Sequence, residues 1–215
     1  EMVIRDWSSD VCSSDLPTVG YGPTSVMYSL LTTSPNINMD WYRNYWQEEN
    51  VSQDNRFNTN ADNPFFTVYE QINAQTRDRI FGNINMNIKL MKNLTLMIRS
   101  GLDMSEELRY YERPLSSKKT PNGEYREQNI MSLEMNHDFM LKYDNRFGKD
   151  KQIGLTASFG GNSMINDYKN IDVRAESLQI PGVYTLSNSK DRLLTSNFES
   201  HKMINSIYGD RKSVV

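Results

Sequence analysis

The chain has 215 residues, 27 acidic and 24 basic side chains, a formal net charge of −3 and a single cysteine. That balance argues against nucleic acid or a strongly acidic surface as partner, and one cysteine excludes a disulfide framework and a Cys-based zinc site. No run approaches the roughly 18 apolar residues of a transmembrane helix, whereas a transmembrane barrel, whose strands need only about 10 alternating residues each, remains compatible with the abundant Asn, the 12 Tyr and the 12 Met.

The opening EMVIRDWSSDVCSSDL has no basic stretch leading into an apolar run of about seven or more residues, so it does not read as a secretory signal. Its part DWSSDVCSSDL (residues 6–16) resembles, codon for codon, one reading frame of a common short-read sequencing adapter. DRKSVV (residues 210–215) matches the opposite-strand adapter running into a stop codon. Residues 1–16 and 210–215 are therefore expected to be adapter-derived, and residues 17–209 to be a segment of a longer gene. Setting aside Glu1, Asp6, Asp10, Asp15 and Asp210 with Arg5, Arg211 and Lys212 leaves 22 acidic and 21 basic residues, and no cysteine, because Cys12 goes too.

Residues 17–78 read as a loop-rich segment with a short strand, and residues 79–209 as about five barrel strands. Within the first part, Asp40-Trp41-Tyr42-Arg43-Asn44-Tyr45-Trp46 is an aromatic cluster. Two readings stay open for Trp41, Tyr42 and Trp46, and for the later Tyr110 and Tyr111: loop aromatics that stack on sugar rings, or rings that pack within loops or in a membrane-interface belt.

The first long strand is expected at residues 79–90, RIFGNINMNIKL. Ile80, Ile84, Met86, Ile88 and Leu90 alternate with Asn83, Asn85, Asn87 and Lys89, and a period of two means one apolar and one polar face. After a turn at 91–93 the pattern resumes at 94–104, with Leu94, Leu96, Ile98, Leu102 and Met104 opposite Thr95, Arg99, Gly101 and Asp103, which makes a tight hairpin. A third strand, 125–146, alternates Leu133, Met135, Phe139, Leu141 and Tyr143 with Glu134, Asn136, Asp138 and Lys142. A turn at 148–151 leads into a fourth, expected to bulge at Gly160-Gly161 before running on towards Val173. A fifth begins near Ser200.

Short turns thus alternate with long links at about 112–126 and 175–199, rich in Pro, Gly, Ser, Lys and Asn. Outer-membrane barrels show the same asymmetry between short periplasmic turns and long extracellular loops. Tyr110, Tyr111 and Tyr125 would lie towards the long-loop rim, Tyr143 and Phe147 at the short-turn rim. The fold class expected is all-β, with antiparallel up-and-down strands forming a partial transmembrane barrel, an open curved sheet. Parity nominates Asn83, Asn85, Asn87, Arg99, Asp103, Glu134, Asn136 and Asp138 as lumen-facing. It puts His137 on the opposite face from Glu134 and Asp138. Those two carboxylates, at i and i+4 of a strand, lie about 13 Å apart, beyond the spacing of a glycosidase pair.

Several phrases, in order, resemble the barrel of SusC/RagA-type TonB-dependent outer-membrane transporters. They are Asp62-Asn63-Pro64-Phe65-Phe66, Arg77-Asp78-Arg79-Ile80-Phe81-Gly82-Asn83, Gly101-Leu102-Asp103, Tyr143-Asp144-Asn145-Arg146-Phe147-Gly148-Lys149, Gly160-Gly161-Asn162, residues 180–188 (IPGVYTLSN) and Ile204-Asn205-Ser206-Ile207-Tyr208-Gly209. The resemblance spans nearly all of residues 17–209. It implies a large barrel around an N-terminal plug in a Gram-negative outer membrane. Such a barrel imports glycans, oligosaccharides or peptides with energy from TonB, beneath a SusD-like surface lipoprotein. Plug, TonB-contacting box and most strands fall outside this stretch, so transport is not expected of these residues alone. The alternatives are a passive outer-membrane pore or surface anchor, and a soluble all-β binding module. No phosphate-binding loop, paired-His zinc spacing or nucleophile elbow occurs, so neither enzyme activity, cofactor nor metal is expected.

Overall fold

The computed structural model describes residues 24–147 and 153–214. Its framework is one antiparallel sheet of five strands: β3 (Ile72–Met91), β4 (Leu94–Leu115), β5 (Asn122–Phe147), β6 (Ile153–Ala175) and β7 (Leu194–Val214), in the spatial order β3-β4-β5-β6-β7. Each strand pairs only with its neighbours in sequence, the up-and-down arrangement. The sheet does not close, and β3 and β7 form its two edges. The fold is all-β, a partial barrel. Among the described residues no helix is long and apolar enough to cross a membrane, a statement that leaves strands untouched.

The register shows how the alternation becomes two faces. Asn85, Arg99, Asp138, Asn162 and Ser206 lie opposite one another across all five strands, and the next row is Met86, Ile98, Phe139, Gly161 and Ile207. Directly opposite residues point to the same side, so polar and apolar rows belong to opposite faces. On the apolar face nothing is packed over the middle of the sheet among the described residues: Ile84 is 61% and Ile207 78% exposed.

The strands are longer than expected, at 20 to 26 residues. β3 begins at Ile72 rather than 79, β4 runs to Leu115 rather than 104, and β7 begins at Leu194 rather than near 200. The link expected at 112–126 shrinks to residues 116–121, while that between β6 and β7 remains long, at residues 176–193. The turn expected at 148–151 lies outside the described residues, as do residues 1–16. β7 continues through Asp210 to Val214 in register with β6.

The bulge expected at Gly160-Gly161 is not there. Met140 pairs with Gly160 and Phe139 with Gly161 in unbroken register. Close cover explains the glycines instead. A Cβ on Gly160 would come within 2.6 Å of the Phe139 carbonyl oxygen and 2.7 Å of the Tyr208 ring, and one on Gly161 within 2.7 Å of the Phe139 ring. An aromatic ring thus shields a bare stretch of backbone on each face, with Tyr208 on the polar side and Phe139 on the apolar side.

The segment before β3 is more structured than a loop. It holds α1 (Val26–Thr32), a 3-10 turn at Met39–Tyr42, the hairpin strands β1 (Trp46–Glu48) and β2 (Ser52–Gln53), and α2 (Pro64–Glu70). Helix α2 starts where chemistry directs: Asn63 caps it by accepting the Phe65 N–H at 2.9 Å, and Pro64 occupies the first turn, where its missing N–H costs nothing. Residues 176–193 fold back over the same end, next to the β1–β2 turn, where a Cβ on Gly182 would come within 3.2 Å of Asn50. There Tyr125, Ala175 and Leu178 make a small core with Tyr110, Leu115, Tyr184, Leu186 and Leu193. Tyr125 is therefore a core residue and not a rim ring.

Candidate functional site

All eight residues nominated by parity lie on one face. Asn83, Asn85 and Asn87 stand opposite Gly101, Arg99 and Met97, and Arg99, Gly101 and Asp103 stand opposite Asp138, Asn136 and Glu134. Most are drawn into a cross-linked polar ladder. Arg99 donates to Asp138 at 2.7 Å, and Asp138 also accepts from Asn162 Nδ2 on the next strand, which leaves its carboxylate largely buried. Asp103 is held in a two-bond fork by Arg79, at 2.9 and 2.6 Å. Asn136 donates to Glu134 at 2.9 Å and Asn85 to Asn83 at 3.0 Å. Asn83, Arg99, Gly101, Asn136, Asp138 and Asn162 together line a shallow depression of about 420 Å³. Arg79 and Asn162 share this face by the same parity and belong to the set, although neither was nominated.

His137 lies on the apolar side, across from Ser100, and its Nδ1 is 3.0 Å from Ser100 Oγ. It shares no site with Glu134 or Asp138. Among the described residues no group of three or more His, Cys, Asp or Glu is placed to hold a metal ion.

The aromatic candidates separate. Trp41 is exposed, at 55%, whereas Tyr42 is buried with its hydroxyl 3.0 Å from Thr33 Oγ1. Trp46 is half-buried, edge-on to the fully buried Phe66, with its indole N–H donating to Glu70 at 3.3 Å. Neighbouring Tyr45 donates to the same carboxylate at 2.8 Å, and burial together with that bond pushes its pKa up to about 12. Tyr110 packs in the small core under residues 176–193. Tyr111 lies on the polar face, where the guanidinium carbons of Arg126 and Arg113 sit 5.0 and 6.0 Å from its ring centre, within cation–π range.

What holds the pre-β3 segment against the sheet is a buried knot of polar side chains. Asp62, only 1% exposed, accepts four hydrogen bonds: from Gln53 Nε2 (2.7 Å), Gln71 Nε2 (3.0 Å), Ser117 Oγ (2.8 Å) and the Lys118 N–H (2.8 Å). Asn63 donates to the Tyr42 and Asp54 carbonyls, and Gln53 reaches the Ser116 carbonyl at 2.6 Å. A buried carboxylate needs such saturation, because leaving even one buried partner unmade costs on the order of 1–3 kcal/mol. Asp62-Asn63 of the Asp-Asn-Pro-Phe-Phe phrase thus ties residues 42–71 to the β4–β5 loop. The sequence marks the cap and the proline, but nothing in it marks the distant partners Ser116 and Ser117.

Beside this knot, on the polar face, lies a second cavity of about 210 Å³. Four cations line it, Arg113, Lys119, Arg126 and Arg174, with Glu124 as the sole carboxylate among its lining residues. Arg126 forks onto Asp172, and Arg174 reaches Glu124 at 3.4 Å and Glu176 at 3.9 Å. Arg113 hydrogen-bonds to the Ile72 and Glu112 carbonyls and to Asn73 Oδ1.

No protein-family model matches the chain, and no curated protein matches it. Among solved structures it is similar in fold to a chain of the RagAB peptide importer in the closed-closed state, with a TM-score of 0.64 and 18% identity over 72% of this chain. It is also similar to the RagAB peptide transporter (TM-score 0.54, 19% identity, 71% of this chain) and to the RagAB importer in the open-open state (0.54, 18%, 71%). The chain spans 17% of the length of each of those chains. At such identities the likeness is one of fold.

Proposed function

We propose that this chain is a stretch of the barrel wall of a nutrient importer in a Gram-negative outer membrane. The observation that carries this reading is the register, which across five strands sets the row Met86, Ile98, Phe139, Gly161 and Ile207 on one face and the row Asn85, Arg99, Asp138, Asn162 and Ser206 on the other. A wall between lipid and an aqueous lumen needs that division. In this reading about ten residues of each strand next to the short turns cross the hydrocarbon. The rest of each strand, with residues 24–71, 116–121 and 176–193, stands outside the cell. The chain performs no chemistry; it shapes a path. The fold likeness to peptide importers favours a peptide as cargo, and the resemblance of the ordered phrases to SusC/RagA-type transporters adds oligosaccharide as a second cargo, TonB as the energy source and a SusD-like lipoprotein over the mouth.

The eight polar-face residues would line the wall towards the plug or the substrate path, and Trp41 offers an exposed aromatic surface outside. The experiment is to sequence the source locus outward from codons 17 and 209, then measure uptake of labelled oligopeptides and oligosaccharides with and without TonB. An upstream plug domain, an adjacent lipoprotein gene and TonB-dependent uptake are expected. A barrel without a plug, or uptake indifferent to TonB, would identify a passive pore or an anchor instead.

A further inference from the structure

The cavity beside the polar knot has two features that the importer reading does not explain. Its lining carries more positive than negative charge, and Arg113, which contributes to that excess, makes its hydrogen bonds to carbonyl and amide oxygens; among the described residues no carboxylate lies within ion-pair distance of it. Two further lining residues, Gln71 and Thr120, each carry a buried side-chain oxygen, Oε1 and Oγ1, that has no hydrogen-bond partner among the described residues, and Gln71 as a whole is only 2% exposed. Buried polar atoms are almost always satisfied, so two orphans in one cavity call for an explanation.

A ligand group accounts for both. Guanidinium forks match planar carboxylates and are the usual means of holding them. Gln71 Oε1 can only accept, so it asks for an N–H or O–H donor beside the anion, while the Thr120 hydroxyl can donate to the anion itself. The volume of about 210 Å³ suits one residue or one sugar ring and not a whole chain.

We infer that this cavity is a subsite for a carboxylate with a hydrogen-bond donor next to it, as in the C-terminal residue of a peptide or a terminal uronic acid. The inference deepens the importer reading and rests on it for the cargo, but binding is measured without transport. The full-length protein recovered from the locus is purified in detergent and titrated calorimetrically with four probes: tetra-alanine, its C-terminal amide, tetragalacturonate and its methyl ester.

At least one free acid is expected to bind about tenfold or more tightly than its capped form, the worth of one charge-assisted interaction. The pair that shows the preference identifies the source of the carboxylate. In Arg113→Gln, which removes the charge but keeps an amide to meet the Ile72 carbonyl, the preference should vanish while heat-dependent gel mobility shows an intact barrel. If Arg113→Gln does not fold, Lys119→Gln, a change at an exposed loop residue, should still narrow the preference. Equal binding of acids and capped forms by the native protein, or a preference unmoved in the folded variant, would overturn the subsite. Absence of TonB-dependent uptake alongside acid-selective binding would overturn only the importer reading.

Discussion

On one face of the five-stranded sheet large apolar side chains stay exposed, while in the segment before it polar side chains turn inward and are buried. Ile84, Met86 and Ile207 have nothing over them among the described residues; Asp62, Asn63 and Gln53 are sealed from solvent. The contrast follows from what each part must do. In the importer reading, the sheet satisfies its backbone through neighbouring strands and leaves its apolar face for a surrounding hydrocarbon, where burial against protein is not needed. The segment leaves many of its apolar side chains exposed, Met27, Leu31, Trp41 and Tyr69 among them, and fully buries the rings of Phe66 and Tyr42, so its position depends largely on directional bonds from named partners.

Perturbations should therefore act on the two regions by different mechanisms. Asp62→Ala removes four hydrogen bonds at once, and the expected loss is on the order of 4 kcal/mol. It should appear as collapsed hydrogen-exchange protection over residues 53–71 and 116–118, with β4 and β5 near the short turns unchanged. Loss of protection throughout the sheet would show that the knot is not a separate unit. Next in size is Met86→Arg, a charge on the apolar face, expected to cost about 2–4 kcal/mol in lipid vesicles. Asn85→Arg, one residue away on the polar face, should cost far less, and equal costs in urea titrations would erase the distinction between faces.

Gly160→Ala should cost about 1–3 kcal/mol, because its methyl meets a backbone carbonyl that cannot swing aside. Gly101→Ala, whose nearest neighbours would be at 3.9 Å, is the matched control. The smallest effect is a pH dependence. The hydrogen bond from Arg56 holds the Asp54 carboxyl below the ordinary carboxylate range. With the folded pKa depressed, its contribution is present above the unfolded value of about 4 and is lost as pH falls through the lower folded value. Exchange protection around residues 53–58 should therefore weaken slightly below about pH 4 in the native protein, and this weakening should be absent in Asp54→Asn.

The sequence was legible wherever one face had to be apolar. From Ile80 to Leu90 and from Leu94 to Met104 the period of two is unbroken enough to assign strand, face and partners, and every nominated lumen residue falls on one side. Beyond Met104 the constraint lapses: Ser105, Glu106 and Glu107 alternate nothing, yet the ladder continues because β5 is there to pair with. Strand ends were misplaced for that reason. The glycine pair was misread because a bulge and a ring-covered backbone look alike in one dimension. Gln53, Gln71 and Ser117 were invisible, since buried polar residues with distant partners resemble ordinary loop composition. The basic cavity needs register as well as parity, because Arg126 and Arg174 meet only when β5 and β6 are aligned.

The central claim is that odd and even positions of β3 see different solvents. The direct measurement is a nitroxide scan, with single cysteines at each position from 83 to 88 in the full-length protein, any native cysteine being replaced, reconstituted in vesicles. Collision rates with oxygen, which partitions into lipid, and with a water-soluble nickel chelate are then compared. The account predicts a period of two, with Ile84, Met86 and Ile88 favouring oxygen and Asn83, Asn85 and Asn87 shielded from it. A uniform profile, or oxygen access at the asparagines, would contradict it.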